Sequence, residues 1–393
     1  MRRQLLSLLV AAACVGGCQM KKPATSAPPV PKVGPVEVGG FVEQWNAPLM
    51  AGHISRLVLR EDMLFAYTAS NHIYALSSTG GQILWGHQLG QAGDQILAPL
   101  VMDKGLSVIP GVSVIDRVEK NGNTLPPIEI GHSIRSSLAG AGNFVYCGLD
   151  YPTGGRLAKI DLTKPYNNTI WEFVIRSGIS ASPVLFQGIV FAAGEDGRVY
   201  AVNEQEQVIW PLTEGYFQTD GRIVADLKAD NTGLYVASGD TKLYCLDITT
   251  GHLKWQYYAS VPLADSPAVT ADTVYQVVPL HGVVALDKTT GDVNRKPRWS
   301  VPFTNRFLAE DAGYVFLQGL DNSIIGVDKK TGEQKFHSQR RDLVAFASNP
   351  KGNLIYAATG DGHVLGIQAV TKPGTVGQVV KTDLEFVPVA MAR

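Results

Sequence analysis

At 393 residues with a formal net charge of -1, the chain is long enough for a large buried core, and it has no excess of positive charge with which to hold a nucleic-acid backbone. Only 18% of it is charged and 45% is hydrophobic, which excludes a solvated, unfolded chain. Its 41 glycines suit a β-rich fold full of tight turns.

The chain opens with a positive Met1-Arg2-Arg3, followed by an apolar run from Leu5 to Val15 that is too short to span a bilayer as a helix. Small residues then lead into a cysteine, Val15-Gly16-Gly17-Cys18. This arrangement resembles the lipobox of bacterial lipoproteins; a plain secretory signal with an incidental cysteine is the alternative. The resemblance implies that residues 1–18 are a lipoprotein signal and that Cys18 becomes an acylated N-terminus. Several acyl chains on one cysteine give stable anchoring to a membrane. Residues 19–40 contain Pro23, Pro28, Pro29 and Pro31, lack periodicity, and read as an extended tether. Gln19 follows the cysteine, and by resemblance to enterobacterial sorting the absence of Asp there favours the outer membrane. The expected location is the cell envelope, lipid-anchored to the outer membrane and facing the periplasm.

Residues 41–393 carry a recurring phrase. Ala75-Leu76-Ser77-Ser78-Thr79-Gly80-Gly81-Gln82-Ile83-Leu84-Trp85 returns from Cys245 to Trp255 and again from Gly326 to Phe336. Looser copies run from Ala201 to Trp210 and from Ala285 to Trp299. The closing aromatics are Trp45, Trp85, Trp171, Trp210, Trp255, Trp299 and Phe336, with one mark missing near Ile130. From Trp45 to Phe336 is 291 positions over seven intervals, about 42 per repeat, in the range of propeller blades.

Each repeat predicts four antiparallel strands. In the repeat from Ser182, the runs Pro183–Phe186, Ile189–Ala193, Val199–Val202 and Gln207–Trp210 are separated by turns, one of them Asp196-Gly197. Inner strands are expected to begin near Ile54, Ile96, Ile134, Ala181, Ile223, Ala264, Phe307 and Val344. The predicted fold is therefore all-β, an eight-bladed propeller of four-stranded blades. The last blade has two candidates for its outer strand. Phe41 to Trp45 carries the closing tryptophan, whereas Thr375 to Val380 follows the last third strand but has no aromatic. The tryptophan argues for the first.

The phrase has a structural chemistry. Asp247 and Asp328 can accept hydrogen bonds from the amides of the turn that follows, and Gly251 and Gly332 supply positive φ. Trp45, Trp85 and Trp255 fill space between blades. These are expected to be structural residues rather than catalytic ones. Cys147 and Cys245 fall in blades separated by a third, too far apart for a disulfide, and read as small buried hydrophobes. His72, His281 and His363, like Asp196, Asp240, Asp321 and Asp361, fall at turns between second and third strands. No metal site, catalytic residue or cofactor site is assigned to them.

The phrase resembles the tryptophan-docking repeat of quinoprotein-type propellers. Together with the lipobox, the tether and the eight repeats, it is similar to the BamB family of outer-membrane assembly lipoproteins. Quinoprotein dehydrogenases of this repeat type stack pyrroloquinoline quinone on an adjacent Cys-Cys pair, and this sequence has no such pair. The resemblance implies a non-enzymatic scaffold without cofactor that contacts the barrel-assembly machinery and assists insertion of β-barrel proteins. Its partners would be proteins, and the membrane through Cys18, with no nucleic acid. Exposed sheet edges could accept strands. The alternative is a quinoprotein-like small-ligand binder or a degenerate quinone-dependent dehydrogenase using the central channel.

Overall fold

The structure, a computed structural model, describes residues 37–38, 40–49, 52–90, 94–211, 213–292, 296–338 and 340–369. Cys18 and the alternative closing segment 375–380 lie outside them. Eight antiparallel sheets of four strands follow one another around the ring, and one of them gains a fifth strand of two residues. The one helical element among the described residues is a 3-10 turn at Asp103–Gly105.

Why these sheets form a ring is visible in their burial. In blade 1 the second strand, Met63–Thr68, is buried at every position. Successive side chains of a strand point to opposite faces. Met63, Phe65 and Tyr67 accordingly pack with Ile109 and Val118 of blade 2, and Leu64 and Ala66 pack with Ala345 and Tyr356 of blade 8. The same division recurs around the molecule, giving eight apolar slabs, one between each pair of neighbours, the last joining blade 8 to blade 1. Both faces of each blade are thus covered, and water meets the outer edges, the turns and the axial side of inner strands such as Ile54–Arg60 and Thr304–Glu310.

The inner strands begin at Ile54, Leu100, Ala139, Val184, Lys228, Ala268, Thr304 and Leu343. In blades 2 to 6 this is three to five residues later than the sequence suggests. Ile96, Ile134, Ala181 and Ile223 are buried in the connections that lead into those strands; Ile134 makes an isolated bridge to Leu149, and for the other three the apolar character reflects packing rather than pairing.

Blade 8 is closed by the N-terminal segment. Phe41–Pro48 pairs antiparallel with His363–Ala369, and Glu37–Val38 adds a short fifth strand outside it. The first and last described strands therefore share one sheet, which removes an open seam.

A second correction concerns blade 4. Its outer strand is Phe217–Gln218, paired with Arg198 and Val199, rather than Gln207–Trp210. Val208 makes a single bridge to Val202, and the chain then leaves the sheet before rejoining it at Phe217. Trp210 remains buried, so the closing aromatic is retained while strand pairing is interrupted.

The recurring phrase forms the joint between blades. Asp247 Oδ1 accepts the Thr249 and Thr250 amides at 3.0 and 2.9 Å, and Asp328 Oδ1 accepts those of Lys330 and Thr331 at 3.0 and 2.9 Å. The Thr249 hydroxyl bond, then the Thr250 amide, hold the Asp247 carboxyl down at about 2. Gly251, with φ +72°, lies under the Trp210 ring of the preceding blade; an added Cβ would stand 2.5 Å from that ring. Gly332 receives Trp299 in the same way. All the tryptophan rings of these joints except Trp85 also donate their indole N–H to a backbone carbonyl. Trp45 reaches Ser78 O at 3.2 Å, Trp255 reaches Lys288 O at 3.0 Å and Trp299 reaches Lys329 O at 2.9 Å.

Candidate docking surface

One end of the ring carries the turns between second and third strands and the links from one blade to the next. In blades 6 and 7 this end presents three large apolar side chains to solvent. Leu280 is 94% exposed, Phe303 75% and Leu320 64%. Leu280 lies in the turn after Thr273–Val278, Phe303 in the link between Trp299–Val301 and Thr304–Glu310, and Leu320 in the turn after Tyr314–Gly319.

The three loops are held against one another. The Leu320 amide donates to Phe303 O at 2.9 Å, and the Val283 amide to Thr304 Oγ1 at 2.8 Å. Thr304 in turn donates to Val301 O at 2.6 Å. Gly282 is pressed so closely on Val301 and Pro302 that a Cβ there would overlap the Val301 carbonyl. Leu280 and Phe303 both have positive φ, +68° and +59°. Such values are unfavourable for bulky residues and are normally given to Gly or Asn. In the turns between second and third strands, Asn71, Gly197, Asn322 and Gly362 take positive φ in blades 1, 4, 7 and 8 and Thr241 does so in blade 5; in blade 6 the positive φ falls on Leu280 and Gly282. At Leu280 and Phe303 the chain instead combines backbone strain, which costs folding free energy, with apolar area that gains little from burial within the chain.

The residues singled out from sequence lie elsewhere. Trp45, Trp85, Trp255, Asp247, Gly251, Asp328 and Gly332 are distributed through the joints between blades and do not converge. His72 bonds Ser70 Oγ at 3.2 Å and His363 bonds Asn46 Oδ1 at 2.7 Å, each within its own neighbourhood. Asp196, Asp240 and Asp321 accept amides two residues on, as turn aspartates do. No group of three His, Cys, Asp or Glu side chains suited to a metal occurs among the described residues. Cys147 and Cys245 are buried free thiols, and burial pushes both up to about 12, away from the reactive thiolate.

The model of one protein family, described as outer membrane protein assembly factor BamB, matches residues 142–295 and 282–371, more than half of the chain. The chain belongs to the BamB family. A BamB of Nitrosomonas eutropha is 26% identical over 153 residues, 38% of this chain and 36% of that protein. A BamB of Burkholderia pseudomallei is 21% identical over 270 residues, 66% of this chain and 69% of that protein. The chain thus spans about a third of the first relative and just over two thirds of the second. Among solved structures, BamB from Moraxella catarrhalis superposes with a TM-score of 0.62 at 19% identity, covering 84% of this chain and 97% of that one. The computationally designed Ika8 protein superposes at 0.64 with 17% identity, covering 82% and 98%. These structural likenesses establish the fold, a propeller of the BamB repeat type.

Sequence reasoning missed the apolar triad of this BamB-family chain. A signal was present in Pro279-Leu280-His281-Gly282, where a leucine stands in a turn that elsewhere carries Asp. The adjacency of Phe303 and Leu320 needed the ring.

Proposed function

We propose that this protein is a non-enzymatic scaffold of the outer membrane, anchored through Cys18 and facing the periplasm, that docks the barrel-assembly machinery and assists insertion of β-barrel proteins. The observation that carries the reading is the Leu280–Phe303–Leu320 triad. Large apolar side chains held out from a rigid frame, against backbone preference, suit a contact that buries them in a partner. Family membership supports the choice of partner, since the relatives are named outer membrane protein assembly factors. The two unreactive thiols support a role without nucleophilic chemistry.

A second docking mode uses a sheet edge. The outer strand of blade 3, Thr169–Ile175, has seven residues, with Ile170 and Val174 exposed. An edge of this length and apolarity is a template for an added strand.

The test is co-purification from detergent-solubilised envelopes. Wild-type protein should bring down the barrel-assembly machinery, and the triple variant Leu280→Asn, Phe303→Asn, Leu320→Ser should lose it by tenfold or more while melting no lower than wild type. Equal recovery with the folded triple variant would remove the triad from the interface.

A further inference from the structure

The inner strands line the axis of the ring, and their charges are not matched. Arg56 and Arg60 lie on the inner strand of blade 1, Ile54–Arg60, and Lys228 on that of blade 5, Lys228–Ala229. Blades 1 and 5 are four steps apart in a ring of eight, so they face each other across the channel. Arg60 is within electrostatic reach of both Asp226 and Lys228, which that geometry permits only across the axis.

The commitments of these groups differ. Arg56 donates to Ile96 O at 2.9 Å and lies over the Tyr67 ring at 4.0 Å. Arg60 spends Nε on Pro99 O at 3.1 Å and Nη1 on Leu59 O at 3.0 Å, which fixes its guanidinium and leaves Nη2 uncommitted among the described residues. Asp226 is held by the Ser182 amide at 2.9 Å and forms no ion pair within 4.0 Å with either cation. The Lys228 ammonium makes neither a hydrogen bond nor an ion pair among the described residues, while its backbone pairs with Tyr235. Glu61 also acts on Arg60, but it is exposed and reaches Lys351 at 3.4 Å. Further round the axis, Arg306 is offset by Asp265. One carboxylate, Asp226, therefore faces two cations, Arg60 and Lys228, and burial, opposed by Asp226 and reinforced by Arg60, lowers the proton affinity of Lys228.

We propose that the channel binds a small oxyanion, a phosphate- or carboxylate-bearing solute, between Arg60 and Lys228. A fixed guanidinium offers a directed donor and an ammonium a compact charge, the pairing used to hold oxyanions. The bound anion would offset the repulsion between Arg60 and Lys228 across the axis. This site is separate from the docking surface, and either can fail without the other.

The test is calorimetric titration of the detergent-solubilised full chain with inorganic phosphate and with succinate, against chloride at matched ionic strength. Saturable binding of phosphate alone, succinate alone or both supports the site and identifies the solute class. Lys228→Met should weaken binding tenfold or more, and the exposed control Lys164→Met should leave it within twofold. Lys228→Arg, which keeps the charge, should stay within threefold should the methionine variant fail to fold. The melting temperature of the wild type should also rise saturably with the bound anion. Heats and melting indistinguishable from chloride, or binding unchanged in folded Lys228→Met, would overturn the proposal.

Discussion

Leu280 and Asp247 sit in similar turns at opposite ends of the ring, and the chain treats them in opposite ways. Asp247 satisfies its turn locally, and its depressed carboxyl carries a sign that can be checked. A folded-state value of about 2 against the ordinary 3.8 means that its contribution is complete above about pH 4 and is lost as pH falls toward 2. The melting difference between wild type and Asp247→Asn should therefore be largest above pH 4 and vanish near pH 2, as followed by circular dichroism. Leu280 leaves its turn strained. Leu280→Asn relieves positive φ, so it should stabilise the fold, by up to about 1 kcal/mol on the scale of such backbone effects. Denaturant midpoints decide this; a loss of stability would mean that the leucine side chain supports the turn.

Blades are joined by tryptophans, and the joints are not equal. Trp45 and Trp255 each pack on the next blade and donate to a carbonyl there. Alanine at either should cost about 3–5 kcal/mol in chemical denaturation. Trp85 differs: its indole N–H is buried without a partner. Trp85→Phe should consequently cost about 1 kcal/mol less than Trp255→Phe, the worth of one hydrogen bond. Equal penalties in urea melts would contradict that. These joints were largely legible in the sequence, because Asp, Gly and Trp at fixed spacing are local chemistry repeated many times. The closing strand was legible through Trp45 alone. The outer strand of blade 4 was not, since Val208 and Trp210 keep the apolar pattern while the backbone leaves the sheet between them. Periodicity reports which side chains are buried, and it does not report which amides are paired.

At the scale of the molecule, the ring brings together residues that no local pattern connects. Leu280, Phe303 and Leu320 are spread over 40 positions, and Arg60 and Lys228 lie 168 apart. Their meeting depends on the number of blades and on which ends of the strands share a face. That is why the frame could be read from the sequence and the docking surface and channel could not. Anchoring belongs to this scale too: Cys18→Ser should abolish labelling by a palmitate analogue and release the protein from membranes into the soluble fraction. The central claim is most directly tested by quantitative mass spectrometry of β-barrel proteins in outer membranes of the native bacterium after deletion of the gene. The levels should fall and be restored by wild-type protein, but not by the equally abundant Leu280→Asn, Phe303→Asn, Leu320→Ser variant. Unchanged levels on deletion, or full restoration by that variant, would contradict the account.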